Sequence, residues 1–306
     1  MTNKGTHNYL DDKRNENIKI YINGELLCRK DAKISVFDSG FLLGDGVWEG
    51  IRLYNGHLIF LQDHLDRLFH GAKKLSIKIG KSQNQIKNLI NKTIKTNKMI
   101  TDVHIRLIIS RGLKKTPYQH PNANIGECTI VIIPEYKIAD ESMNNNGIKL
   151  ATVKTIRGTS NNQDPRLNTL SKLNCIMACI EADDAGVDEG IMLDINGNVS
   201  TCNSTNFFIV KNDEVWTSTG LYCLPGITRK AIIDICKENR IIILEKNFKI
   251  NDVYSADEAF VTGTFSGIIP VIEIDKIKIA CGKKGKITNR LQQLYSLKLS
   301  HLYSKK

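Results

Sequence analysis

The chain has 306 residues, 41% hydrophobic and 25% charged, which places it among ordinary soluble globular proteins with room for two domains or one large one. Its net charge of +11 comes from lysines spread along the whole chain without interleaved aromatics, so it reads as a solvated surface and no nucleic-acid partner is expected. The first seventeen residues are polar and no run approaches the roughly 18 apolar residues of a membrane span, so neither a secretory signal nor a membrane is expected, and the expected location is cytoplasmic.

In chain order, residues 1–17 are expected to be disordered. Ile18 to Ile22 reads as a strand entering a tight turn at Asn23-Gly24, and His57 to Leu61 as a further strand. Asp63 has cap chemistry, with Leu65, Leu68, Phe69, Ala72 and Leu75 at helical spacing behind it. Val103 to Ser110 and Thr129 to Ile133 are β-rich, so residues 18–143 form a small α/β domain. The polar stretch Asp140 to Gly147 reads as a linker to a larger domain, 144–306. There, Leu173, Ile176, Met177 and Ile180 mark a helix ending at Gly186. Gly190 to Leu193, a turn at Asn196-Gly197, Phe207 to Val210 and Val215 to Thr217 read as a meander. Leu224-Pro225-Gly226-Ile227-Thr228-Arg229 opens a helix with the apolar face Ile227, Ala231, Ile232 and Ile235. Such a start exposes unpaired backbone N–H groups and is a ready anion site.

The eight cysteines contain no Cys-x-x-Cys pair and the seven histidines no ligand spacing, so reduced, mostly buried thiols and no metal site are expected. Gly44-Asp45-Gly46-Val47-Trp48-Glu49-Gly50 is not a dinucleotide loop, since the spacing is G-x-G-x-x-x-G and no ribose-binding acid is correctly placed.

The same segment, continued through Ile51-Arg52 and followed by His64-Leu65-Asp66-Arg67-Leu68, resembles the N-terminal signature of class IV aminotransferases. Leu224 to Arg229, Asp257-Glu258-Ala259-Phe260 and Gly263-Thr264 are similar to the later blocks, in the same order. The resemblance implies the two-domain α/β fold of that family, with pyridoxal 5'-phosphate in the cleft between domains and a homodimer closing the pocket. It assigns the phosphate to Arg67, to the helix start at Ile227 and Thr228, and to Thr264, with Gly263 also binding the cofactor. An arginine fork and free backbone N–H groups suit a phosphate independently.

The lysine that holds the cofactor's aldehyde is expected just before a helix that fixes it. Of Lys149, Lys154 and Lys172, only Lys172 precedes one. Family members usually read Lys-x-x-Asn where this chain reads Lys172-Leu173-Asn174, and Lys172 lies about one helical turn later than usual.

Thr201, Asn203 and Ser204 fall in the cofactor's surroundings. Relatives carry at the position of Thr201 a glutamate that keeps the ring nitrogen protonated, which threonine cannot do, so a neutral ring nitrogen is expected. Cys175 and Leu43 stand where tyrosines are usual. Arg52 and Arg106 match substrate-binding arginines of branched-chain enzymes, and Trp48 and Leu43 would give an apolar wall. The resemblance therefore implies transfer of an amino group from an amino acid, of branched-chain L type, to a 2-oxo acid such as 2-oxoglutarate. The rival readings are a D-amino-acid or amine transaminase, an enzyme resembling aminodeoxychorismate lyase, and a cofactor-binding protein with altered catalysis.

Overall fold

The computed structural model describes Thr6 and residues 11–303, with the side chain of Glu141 left out. Residues 1–5 and 7–10 of the segment expected to be disordered lie outside the described residues, while Lys13–Asn17 forms a 3-10 helix capped by Asp12. No helix among the described residues is long and apolar enough to cross a membrane.

The first sheet is antiparallel and runs Glu25–Cys28, Lys19–Ile22, Thr129–Tyr136, Val103–Ser110, Gly46–Tyr54, His57–Leu58. Successive side chains on a strand face opposite sides. Val47, Ile51 and Leu53, with Ile105, Leu107 and Ile109 across the ladder, therefore bury against Leu65, Leu68, Ile86 and Ile90 of the helices Leu61–Lys74 and Gln83–Thr96. Full burial of such a side chain is worth about 1.5–3 kcal/mol. The opposite phase turns Trp48, Gly50, His104 and Arg106 to the other face, where Gly50 pairs with Arg106. Two boundaries differ from the sequence reading. His57–Leu58 is the whole of its strand, and the next helix starts at Leu61 behind Phe60, held in the left-handed region at φ 50. A distant residue supplies the missing cap: the Tyr303 hydroxyl lies 2.8 Å from the Phe60 N–H and accepts from it. Asp63 sits inside the first turn instead, where a carboxylate complements the helix dipole.

The second sheet runs Val199–Cys202, Glu189–Leu193, Ile148–Thr152, Gly267–Ile274, Glu258–Gly263, Asn206–Lys211, Glu214–Thr217, Ile243–Glu245, with Ile277–Lys278 paired to Gly267–Ile274. The expected hairpins are present, but Ile148–Thr152 pairs in parallel with both its neighbours and Ile243–Glu245 with Glu214–Thr217, so the sheet is mixed and not a simple meander. One face packs Phe208 and Phe260, stacked with centroids 4.8 Å apart, against the helices Ile227–Glu238 and Lys286–Leu302. The buried Glu258 carboxylate fixes the second of these by accepting from the N–H groups of Ile287 and Thr288. Glu141–Asn146, read as linker, is a short helix capped by Asp140. Chain order hid it, because three asparagines and a glycine also suit a loop.

An extended segment ties the two sheets together ahead of Lys172. Trp48 N–H donates to the Asn168 carbonyl at 3.0 Å and Leu170 N–H to the Gly46 carbonyl at 2.9 Å, with Thr169 bridged to Val47. Lys172 then becomes the N-cap of the helix Leu173–Asp184, which ends before Gly186 at φ +72. Its large apolar residues point outward, Leu173 68% exposed and Ile176 52%, while Ala178 and Ala182 are buried.

Gly46 makes the docking possible, since a Cβ there would lie 2.5 Å from both the Ile109 carbonyl oxygen and the Leu170 side chain. Gly46→Ala is expected to destabilise the fold by about 1–3 kcal/mol through overpacking, read as a lowered midpoint in urea unfolding. An unchanged midpoint would show that the segment yields.

Candidate active site

Between the sheets lies a cavity of about 440 Å³. Its floor comes from the strand face carrying Trp48 and Arg106, and its far wall from the loop after Val199–Cys202, the start of the Ile227–Glu238 helix and the turn at Gly263 and Thr264. Of the residues singled out from sequence, Lys172, Arg67, Thr201, Asn203, Ser204, Ile227, Thr228, Gly263, Thr264, Trp48 and Arg106 all line it. Arg52 and Leu43 do not. Arg52 reaches past the cleft, its Nη1 donating to the Phe265 carbonyl at 3.5 Å and its guanidinium lying over Tyr54. Leu43 ends the short helix Ser39–Leu43 and is 44% exposed, so it forms no wall of this cavity.

Arg67 is held by two partners. Its Nε and Nη2 donate to the two Glu49 carboxylate oxygens at 2.8 and 2.7 Å, and its Nη1 to the Pro225 carbonyl at 2.8 Å. Glu49 is fully buried; burial alone would push its carboxyl up, but the Arg67 charge and the bonds from Arg67 and His64 outweigh it and hold the carboxyl below its ordinary range. Burial pushes His64 down, so the ring is neutral and donates from Nδ1 to Glu49 at 2.7 Å. Pro225 leads directly into the helix whose N-cap is Gly226. Gly226 has no side chain to cap that helix, and its first residues, Ile227 and Thr228, line the cavity with Arg67, where the N–H groups of a first turn lack intrahelical partners. Gly226 is required there because a Cβ would collide with Asn206 Oδ1.

Lys172 enters from the opposite side. Its Nζ donates to Asn168 Oδ1 at 3.0 Å and lies 5.5 Å from the Trp48 ring centroid. Burial is the main cause that lowers its ammonium to about 8, with Arg157 and Arg67 adding to the effect and Cys175 and Glu49 opposing it. Arg106 stacks on the same indole at 4.1 Å.

Several lining residues were not found from sequence: His104, Lys137, Arg157 and Asn168. His104 had a usable signal, since it shares strand parity with Arg106. The cavity is thus lined by Arg67, Arg106, Lys137, Arg157 and Lys172 and, among the described residues, by no carboxylate. Arg157 Nε and Thr262 Oγ1 are buried polar atoms without a partner among the described residues, and both residues line the cavity. Such a wall suits a polar, anionic ligand. Thr201 donates its hydroxyl to the Thr205 carbonyl at 2.7 Å. Behind the same loop, Ser204, Thr205 and Thr6 donate to the buried Glu189 carboxylate, whose proton affinity burial raises.

The Glu49 network fixes the sign of an acid effect. A carboxyl held below its ordinary value stabilises the fold above that value and loses the contribution as pH falls through the lowered one; a histidine held down loses its contribution over the range below its own ordinary value. Both losses occur on acidification. Glu49→Gln is expected to cost about 3 kcal/mol at neutral pH, because Arg67 keeps its charge without its anionic partner, and to flatten the acid limb. Urea unfolding at neutral and acid pH reads both effects, and equal slopes in the two proteins would refute the assignment.

A model of amino-transferase class IV matches residues 46–274. The chain is 41% identical over 284 residues to branched-chain-amino-acid aminotransferase-like protein 2 of Arabidopsis thaliana, a match covering 92% of this chain and 50% of that protein. It thus spans about half the length of the two Arabidopsis thaliana relatives it matches. A putative branched-chain-amino-acid aminotransferase of Methanocaldococcus jannaschii is 37% identical, over 91% of this chain and 95% of that protein. The D-alanine aminotransferase of Listeria monocytogenes is 31% identical, over 91% and 95%. Among solved structures, the Escherichia coli branched-chain amino acid aminotransferase superposes with a TM-score of 0.86 at 29% identity, over 92% of this chain and 94% of that one. The branched-chain aminotransferase of the thermophilic archaeon Thermoproteus uzoniensis, solved with norvaline, gives 0.82 at 29%, over 92% and 94%. The family match begins on the strand that carries Trp48 and Glu49 and ends on a strand of the second sheet, and with a nearly full-length relative above 30% identity it makes this chain a member of the class IV aminotransferase family.

Proposed function

We propose that the chain is a pyridoxal-phosphate aminotransferase that moves the amino group of a branched-chain type L-amino acid to a 2-oxo acid such as 2-oxoglutarate. The observation that carries the reading is Lys172, an amine lowered to about 8 in a cation-lined cavity, facing an uncapped helix start. Class IV aminotransferases are pyridoxal-phosphate enzymes, and the residues present fit that group at its phosphate and at its aldehyde. Arg67, the N–H groups of Ile227 and Thr228, the Thr228 hydroxyl and Thr264 would hold the phosphate, and Lys172 would hold the aldehyde. At the ring nitrogen Thr201 offers no charge.

When bound, the cofactor supplies an aldehyde that condenses with amines and a ring that draws electrons from the α-carbon. Lys172 Nζ, whose ammonium gives up its proton more readily than an ordinary lysine's, would take the substrate's α-proton and return it. Arg106 and Lys137 would receive carboxylates, and the Trp48 face would exclude water from one side of an apolar side chain. The cofactor-binding protein with altered catalysis is the second reading, favoured by one observation: the Thr201 hydroxyl is engaged with the Thr205 carbonyl and, among the described residues, no carboxylate lines the cavity. Absorbance spectra before and after a panel of L-, D- and achiral amines, with 2-oxoglutarate as acceptor, separate the readings. A bound cofactor that responds to no amine supports the second.

Lys172→Ala is expected to remove the visible band and transamination, whereas Thr228→Ala weakens cofactor affinity roughly 10- to 100-fold, the equivalent of a charge-assisted bond worth about 1.5–3 kcal/mol, with little effect on rate at saturating cofactor. A reducible adduct on Lys154 in the first variant would assign the aldehyde to that lysine instead. A further expectation concerns assembly. The outward row Leu173, Ile176, Met177 and Ile180, together with Phe41 at 71% exposure, supports a homodimer. Sedimentation should give twice the chain mass at micromolar concentration; a monomer would remove the dimer from this proposal. All eight cysteines are free, which suits the cytoplasm.

A further inference from the structure

The cavity holds a nucleophile that transamination does not use. Cys175 lines it, half-buried, in the first turn of the Leu173–Asp184 helix, whose N-cap is Lys172. The Cys175 sulfur accepts from Arg157 Nη1 at 2.9 Å. That guanidinium is held in place. Arg157 is only 9% exposed, its main-chain N–H donates to the Leu193 carbonyl at 2.7 Å, and Nη1 also donates to Asn174 Oδ1 at 3.3 Å. The Asn174 amide is tied in turn by Nδ2 to the Ile156 carbonyl at 2.9 Å. Arg157 Nε is buried and has no partner among the described residues, so the cation beside the thiol has a donor left over for a ligand. Lys172, one turn back, is near enough for its charge and that of a Cys175 thiolate to act on each other. Among the described residues no carboxylate lines the cavity.

We propose that Cys175 is a modification site that selects anionic thiol reagents, its ligand class being small acidic disulfides. The thiolate is the attacking species in such chemistry, and reactive cysteines sit in partly exposed, electropositive surroundings of this kind. A cleft lined by one sign of charge concentrates ions of the other sign. The cations of Arg157, Lys172 and Arg67 therefore gather an acidic reagent at the sulfur, while a neutral reagent gains nothing. In the step itself the Cys175 thiolate attacks one sulfur of the disulfide. A new sulfur–sulfur bond forms as the old one breaks, and the other half leaves with the electron pair and takes up the proton that Cys175 released. Cys175 is oxidised and the departing half is reduced, so no further oxidant is needed. The half that stays carries its carboxylates beside Arg157 and Lys172, and it occupies the cavity until a second thiol exchanges it away.

Alkylation of the full chain without cofactor, followed by mass spectrometry of the Cys175 peptide, reads the selectivity. Iodoacetate and iodoacetamide share a leaving group and differ in charge. The ratio of their rates at one sulfur cancels how readily that sulfur ionises and leaves the local field. In the folded chain the iodoacetate-to-iodoacetamide ratio at Cys175 should exceed that of the urea-unfolded chain by about tenfold, the lower end of what a focused field achieves. A folded ratio no higher than the unfolded one overturns the proposal. Arg157→Gln should lower the folded ratio by about threefold or more, since it removes the cation that touches the sulfur. An unchanged ratio in a variant with native circular dichroism overturns it as well. Should that variant fail to fold, salt replaces it: at about 1 M the screening length falls to about 3 Å, and the ratio in the unmodified protein should drop toward the unfolded value. A ratio indifferent to salt counts against the site. Glutathione disulfide should then form a mixed disulfide at Cys175, removed by dithiothreitol, with a folded-over-unfolded advantage that neutral hydroxyethyl disulfide lacks. Equal advantages for the two disulfides would refute the ligand class. All these readings are taken without cofactor, so they stand or fall independently of the proposed transamination.

Discussion

The ion pair between Glu49 and Arg67 is the constraint on which the site depends. Glu49 belongs to the core phase of its strand, beside Val47 and Ile51, and a carboxylate there is tolerable only if it is fully paired. Arg67 and His64, on one turn of the facing helix, supply three donors to it. A further Arg67 donor, on Nη1, reaches the carbonyl of Pro225, on the loop that starts the uncapped helix of the second sheet's side. A single buried carboxylate thereby sets the position of a cation in the cleft and the relation of that cation to a helix start from the other half of the chain.

The opposite side of the cleft is built from close approaches. Gly46 lets the extended segment lie against its strand, the segment carries Asn168 onto Trp48, and the helix that follows begins at Lys172. The amine thus stands at the end of a rigid path and not on a free loop, which is the condition for a group that must meet a ligand at one point. It is flanked by cations and walled by an indole, so the desolvation that lowers its ammonium is part of the site's construction.

Much of this was legible in the chain. The blocks around Gly46, Arg67, Gly226 and Gly263 are short and stand in the order that class IV aminotransferases keep, so the resemblance they carry brought eleven of the lining residues together. What escaped has a physical pattern. Arg52 shares the strand phase of Trp48, and only the tertiary position of the Phe265 carbonyl shows that it overshoots the cleft. Lys137 and Arg157 are single cations with no local motif, and they join the site only because two sheets meet. The helix start at Phe60 is capped by Tyr303, a partner from the other end of the chain that no local signal announces. The helix after Lys172 was legible from its apolar period, but that period does not say which way the stripe faces, and here it faces outward.

Trp48 lies between Arg106 at 4.1 Å and Lys172 at 5.5 Å, and the chain has one other tryptophan, Trp216, on the second sheet beneath Lys246. The placement gives the protein an optical reporter in the wall of the cleft. Indole emission is quenched or shifted by a nearby charge and by energy transfer to a group absorbing in the near ultraviolet. A chain in which Trp216 is replaced by phenylalanine would therefore report occupancy of the cleft, and the protonation of the amine above it, by emission from a single ring.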